Sequence, residues 1–191
     1  MNDLKEVLKD RFPRNNWNFK KLSKILLEAA ERGKYRLDDE EDILFFEGER
    51  LLLPKNFYQS RSWDDRLLTS GSDFLMPETI RYLVKRAEEE GEWNPEYAVE
   101  RYLDEIGEEN KTLFLEFFKK MKKGIESCSE YKKNTISGDL IVTIAEELGM
   151  GKEKADVIRG EFKKGGIISP CSSRVKGGCL SFEINPSLLK K

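Results

Sequence analysis

Between Ser137 and Ile184 the apolar period changes twice, and glycines mark both changes. Leu140, Ile141, Ile144, Ala145 and Leu148 recur at the spacing of one helix face, Ser137 stands where a side chain can cap that helix, and Asp139 lies in its first turn, where negative charge is favoured. Leu148-Gly149-Met150-Gly151 breaks the pattern. Ala155, Ile158 and Phe162 resume it from Lys152 to about Lys164, ahead of Gly165-Gly166. Two helices joined by so short a turn cross steeply, as in a helix-turn-helix unit. The residues that follow turn extended: Ile167 to Cys171 and Cys179 to Ile184 predict a hairpin around a loop of residues 172–178.

Ile144-Ala145-Glu146-Glu147-Leu148-Gly149, a second helix, Gly166-Ile167-Ile168 and a hairpin, in this register, resemble the winged helix-turn-helix superfamily of many bacterial and archaeal regulators. The resemblance covers residues 130–191, and begins earlier if the helix from Asn110 is the module's first. It implies that residues 151–164 lie in the major groove of duplex DNA while the wing touches flanking phosphate or the minor groove. The contacts so implied are Lys152, Lys163 and Lys164 on the helix, and Arg174 and Lys176 on the wing.

Charge favours this reading in one respect and opposes it in another. Residues 132–191 carry 11 Lys/Arg against 7 Asp/Glu, and the rest of the chain 23 against 29, which directs a polyanion to the carboxyl-terminal part. Placing Ala155, Ile158 and Phe162 inward, however, turns Glu153, Asp156, Val157, Gly160 and Lys164 outward and leaves Lys152 and Lys163 on a flank. Acids facing phosphate oppose binding, although an acid can accept from cytosine and Val157 can meet a thymine methyl. An uncharged face with a small Gly160 also suits a protein partner. Two functions are therefore carried forward: a DNA-binding protein in transcription regulation or a mobile element, and a protein-docking module in a larger assembly.

Cys171 and Cys179 bracket the wing loop, where opposed strand residues would bring their sulfurs close. A disulfide and two free thiols both stay open, since cytoplasmic thiols are normally reduced except in some hyperthermophiles. With no histidine and only Cys128 besides, no metal site is expected.

Residues 1–128 read as a helical unit with one β-hairpin, and association is the role expected of them. A helix over 3–12 ends at Pro13. The mixed basic, aromatic and amide residues of 11–21 read either as a stacking surface for single strands or as a turn whose Trp17 and Phe19 anchor the next helix. Leu22, Ile25, Leu26, Ala29 and Ala30 form that helix's stripe, up to Gly33. The acids of 38–42 are expected in a solvated loop, because neighbours on an extended segment point to opposite faces. Ile43 to Phe46 and Arg50 to Pro54, around Glu47-Gly48-Glu49, predict a hairpin near 43–53, and residues 55–76 an ordered loop. Pro77, then Asn94-Pro95, then Asn110 begin three helices with short connections. Phe114, Phe117 and Phe118 exceed one stripe on the last of these and suit either a homodimer interface or simple core.

The expected fold is thus mainly α, a helical unit with one hairpin followed by a winged helix-turn-helix. No apolar run reaches the length of a membrane span and the first residues lack a signal-peptide pattern, so a cytoplasmic protein is expected. Absent histidine and a single glutamine beside abundant Lys and Glu match the bias of thermophile proteins. No Gly-rich phosphate loop and no nucleophile-base spacing point to an enzyme or a cofactor.

Overall fold

Asn18, Asn94 and Ser137 begin three helices in the same way: the side-chain oxygen accepts the backbone N–H three residues on, at 3.1, 3.0 and 3.2 Å. The structure, a computed structural model, describes residues 4–13, 17–55, 57–58, 62–63, 70–127, 134–171 and 181–189. Its first half contains α1 (Leu4–Arg11), α2 (Phe19–Arg32), β1 (Lys34–Leu37), α3 (Glu40–Gly48), β2 (Leu53–Pro54) and β3 (Ser72–Leu75). Three longer helices follow, α4 (Glu78–Glu90), α5 (Pro95–Glu105) and α6 (Lys111–Ser127). Pro77 stands at the cap of α4, one residue ahead of the expected first helical position. The last part is β4 (Thr135–Ser137), α7 (Gly138–Glu147), α8 (Lys152–Lys164), β5 (Ile168–Pro170), β6 (Ser181–Ile184) and α9 (Pro186–Leu189).

The hairpin expected near 43–53 is not formed; residues 40–48 are helical. The cause lies just upstream. Asp39 caps α3 by accepting the Glu41 N–H at 2.9 Å, and Glu40, Glu41 and Asp42 fill the first turn, where the helix's positive end favours them. The acids are therefore a helix start and not a loop, and Asp42, 8% exposed, is paired with Lys21 at 2.6 Å. Ile43, Phe45 and Phe46 are buried while Leu44 is exposed, a pattern that a short apolar run leaves open between strand and helix. Leu53 and Pro54 do form a strand, but their partners are Leu75 and Phe74, and β1 pairs with the other edge of β3.

Among the described residues of 11–21, Trp17 and Phe19 pack against the apolar core. Trp17 packs on Phe45 with ring centroids 5.0 Å apart, and Phe12 sits between Phe45 and Trp93 at 5.4 and 5.7 Å.

The second antiparallel sheet has the order β4-β6-β5, with Ile136 opposite Phe182 and Ile168 opposite Ile184. Gly149 turns the chain between α7 and α8 at φ +66, and Gly166 does so after α8 at φ +71. A Cβ on Gly166 would lie 2.4 Å from Cβ of Pro77, so only glycine fits where α8 leads into β5.

One apolar core runs from Leu4 to Leu188 and includes residues on both sides of 130. Phe162 is fully buried, with its ring set edge-on to Phe114, Phe117 and Phe118 at 6.0 to 6.4 Å. These three phenylalanines are interior, at 0–1% exposure, so they offer no surface to a second copy. The aromatic excess on α6 exists because α8 lies on it. Polar contacts reinforce the join: Thr79 donates to the Gly165 carbonyl at 2.6 Å, Asn185 to the carbonyls of Arg50 and Gly166 at 3.0 Å, and Trp93 to that of Ser187 at 2.9 Å.

Candidate nucleic-acid interface

Helix α8 has a buried side and an open side. Ala155, Ile158 and Phe162 face the core, and Lys152, Glu153, Asp156, Val157 and Lys164 are exposed. Its carboxyl-terminal end is held from the body by Tyr102, whose hydroxyl donates to the Glu161 carbonyl at 2.9 Å. Burial, and then the negative charge of Glu161, raise the Tyr102 pKa well above the ordinary phenol value, so the group stays a donor throughout the neutral range. The Tyr102 ring also sits where a Cβ on Gly165 would be, 2.7 Å away. Such contacts fix the rotation of α8, and hence which residues look outward.

Lys152 is exposed in the first turn, directly after the Gly151 cap; Lys163, partly exposed, and Lys164, exposed, lie in the last turn. The rise of a helix separates Lys152 from Lys163 by about 16 Å along the axis. Lys152 and Lys163 share a flank with Arg159, while Lys164 is paired with Glu161 at 2.8 Å. Arg159 also forms an ion pair with Asp156. Asp156, expected as an outward acid opposing phosphate, therefore has its charge largely answered, and its i,i+3 spacing from Arg159 is the sequence signal of that pairing. Glu153 is the exposed acid of this face with no ion pair among the described residues. Lys154, outside the set of contacts expected from the sequence, is partly exposed on the opposite flank. Among the described residues of this part of the chain, Val142 on α7 and Val157 on α8 are the large apolar side chains that are exposed, at 46% and 52%.

Arg174 and Lys176 lie outside the described residues, as does Cys179, so the wing contacts and the Cys171–Cys179 pairing are not described. Cys171 follows β5 and its amide donates to the Ser181 carbonyl at 2.8 Å. Among the described residues no group of three or more Cys, Asp or Glu is placed to hold a metal ion, and no helix is long and apolar enough to cross a membrane.

One family model, of unknown function, matches residues 2–191. No curated protein and no solved structure matches the chain.

Proposed function

The chain belongs to this family over that whole span, and we propose that it docks on duplex DNA through α8, with residues 134–189 serving as a winged helix-turn-helix. The observation that carries this reading is the open face of α8, bounded along one flank by Lys152 and Lys163 while the opposite face is packed into the core. The order β4, α7, α8, β5, β6, with β6 between β4 and β5, suits that module. A separation of about 16 Å between the lysines at the two ends of α8 suits the backbones that border a major groove about 12 Å wide. With Asp156 answered by Arg159, one exposed acid is left to oppose phosphate, which favours DNA more than the sequence alone does.

Replacing Lys152 and Lys163 together by alanine should weaken duplex binding at all sequences alike and flatten its salt dependence by about one unit for each phosphate no longer neutralised. Glu153→Gln should act in the opposite direction and tighten binding at low salt. Neither change should alter the melting temperature appreciably, since these side chains lie at the surface. Electrophoretic shift across a salt series reads both effects, and affinity unchanged by the double substitution would count against α8 as the docking element.

The exposure of Val142 and Val157 supports a second reading, in which the α7–α8 surface docks on a protein partner. On that reading Val157→Ala would weaken the partner's binding while the lysine substitutions left it unchanged.

A further inference from the structure

Gly124 on α6 and Gly160 on α8 stand inside helices, where glycine costs stability relative to alanine. For Gly124 the fold supplies the reason: a Cβ there would lie 3.0 Å from Cδ2 of Leu140, in the contact between α6 and α7. Gly160 has no such reason. Among the described residues a Cβ built on it would meet nothing within 4 Å, and its φ is not left-handed. Neither packing among those residues nor backbone conformation therefore calls for glycine at this position. The residue stands almost opposite Ala155, Ile158 and Phe162, near the middle of the open face of α8. One helical turn away on either side are Asp156 and Val157, and Lys163 and Lys164, so Gly160 is a bare spot ringed by longer side chains. Asp156 is paired with Arg159 and Lys164 with Glu161, whereas Lys163 makes no ion pair among the described residues, so the charge left over in this ring is positive.

An α-helix with its side chains is about 10–12 Å across and the major groove about 12 Å wide, so a helix with a gap in its leading face can sit deeper than one whose face is filled. Where glycine stands, a partner can reach the helix backbone itself. We infer that Gly160 is the point of closest approach between α8 and the duplex, its bare backbone lying against base edges on the floor of the major groove. This role rests on the docking of α8 on DNA proposed above, and the positive charge beside the bare spot suits a polyanion better than an uncharged partner. A side chain at this position would hold the helix away from the groove, and with it the lysines at its two ends away from the phosphates.

Gly160→Ala and Gly160→Leu in the full chain separate this role from a structural one, because stability and binding should move in opposite directions. Gly160→Ala should raise the melting temperature by about 2–4 °C, since alanine favours the helix and its methyl group enters open space. Both variants should bind random-sequence duplex DNA more weakly than the parent in an electrophoretic shift, Gly160→Ala by about threefold and Gly160→Leu by about tenfold or more, because the longer side chain keeps the helix farther out. A stabler protein that binds DNA less well is the expected result. A parent that binds duplex DNA with an affinity that neither variant lowers overturns the role of Gly160 and leaves docking through α8 in place. A Gly160→Ala variant that melts below the parent also overturns it, by showing that the fold itself needs this glycine. A parent that binds no duplex overturns the docking and this role together, and leaves the bare spot to a protein partner.

Discussion

Phe162→Ala is expected to cost about 3–5 kcal/mol of folding stability, while Val157→Ala, on the open side of the same helix, is expected to be nearly neutral. The difference follows from what each side chain touches. Phe162 is fully buried and meets three other phenyl rings edge-on, so its removal leaves a void bounded by Phe114, Phe117 and Phe118, side chains of a rigid helix that cannot easily close it. Val157 is 52% exposed and loses little when shortened. The ring contacts of Phe162 lie on α6, so the loss would be felt as a loosening of α8 from the body. Urea unfolding of the two variants measures this, and equal losses would contradict the rotation of α8 on which the choice of DNA-contacting residues rests.

Arg50→Ala is expected to be comparably damaging, again about 3–5 kcal/mol, through a different mechanism. Arg50 follows α3 with a left-handed backbone, φ +53, and its guanidinium grips Glu183 on β6 through two hydrogen bonds of 3.0 and 3.2 Å. The two side chains are 9% and 14% exposed, and the guanidinium also lies 5.6 Å from the centroid of the Trp63 ring. Truncation leaves the Glu183 carboxylate in a nearly dry place without its counter-charge, which is the costly half of a buried pair. The pair itself need not add much net stability. Replacing both partners at once, Arg50→Met with Glu183→Leu, should therefore recover a large part of the stability that Arg50→Ala removes. A double variant as unstable as Arg50→Ala would show that the single substitution acts through packing rather than through a stranded charge.

What the sequence reveals and what it hides divide along the range of the interactions involved. The starts of α5 and α7 are legible because an Asn or Ser oxygen answers an N–H three residues away, and the rotation of α8 is legible because Ala155, Ile158 and Phe162 repeat at helical spacing. The segment 43–53 misleads because a four-residue apolar run fits either period, and the deciding signal, Asp39 as cap with three acids behind it, looks the same as a solvated acidic loop. Strand β4 leaves no local trace: three residues give no alternation, and Ile136 becomes a strand residue only by pairing with Phe182. The aromatic excess on α6 is visible in the sequence, but whether it serves a second copy or Phe162 depends on a contact that no local pattern encodes.

The candidate interface follows the same division. Lys152, Lys163 and Lys164 are where helical geometry puts them, whereas the pairing that answers Asp156, which the i,i+3 spacing permits, shows only in the contact it makes with Arg159.

Binding of the purified chain to random-sequence duplex DNA, measured across a salt series, tests the central claim most directly. If Lys152, Lys163, Arg174 and Lys176 each neutralise one phosphate, the logarithm of the binding constant should fall linearly with the logarithm of salt concentration, with a slope of about −3.6. Absence of binding at low salt, or binding that salt does not weaken, would contradict docking on DNA and turn attention to the exposed Val142 and Val157 as a surface for a protein partner.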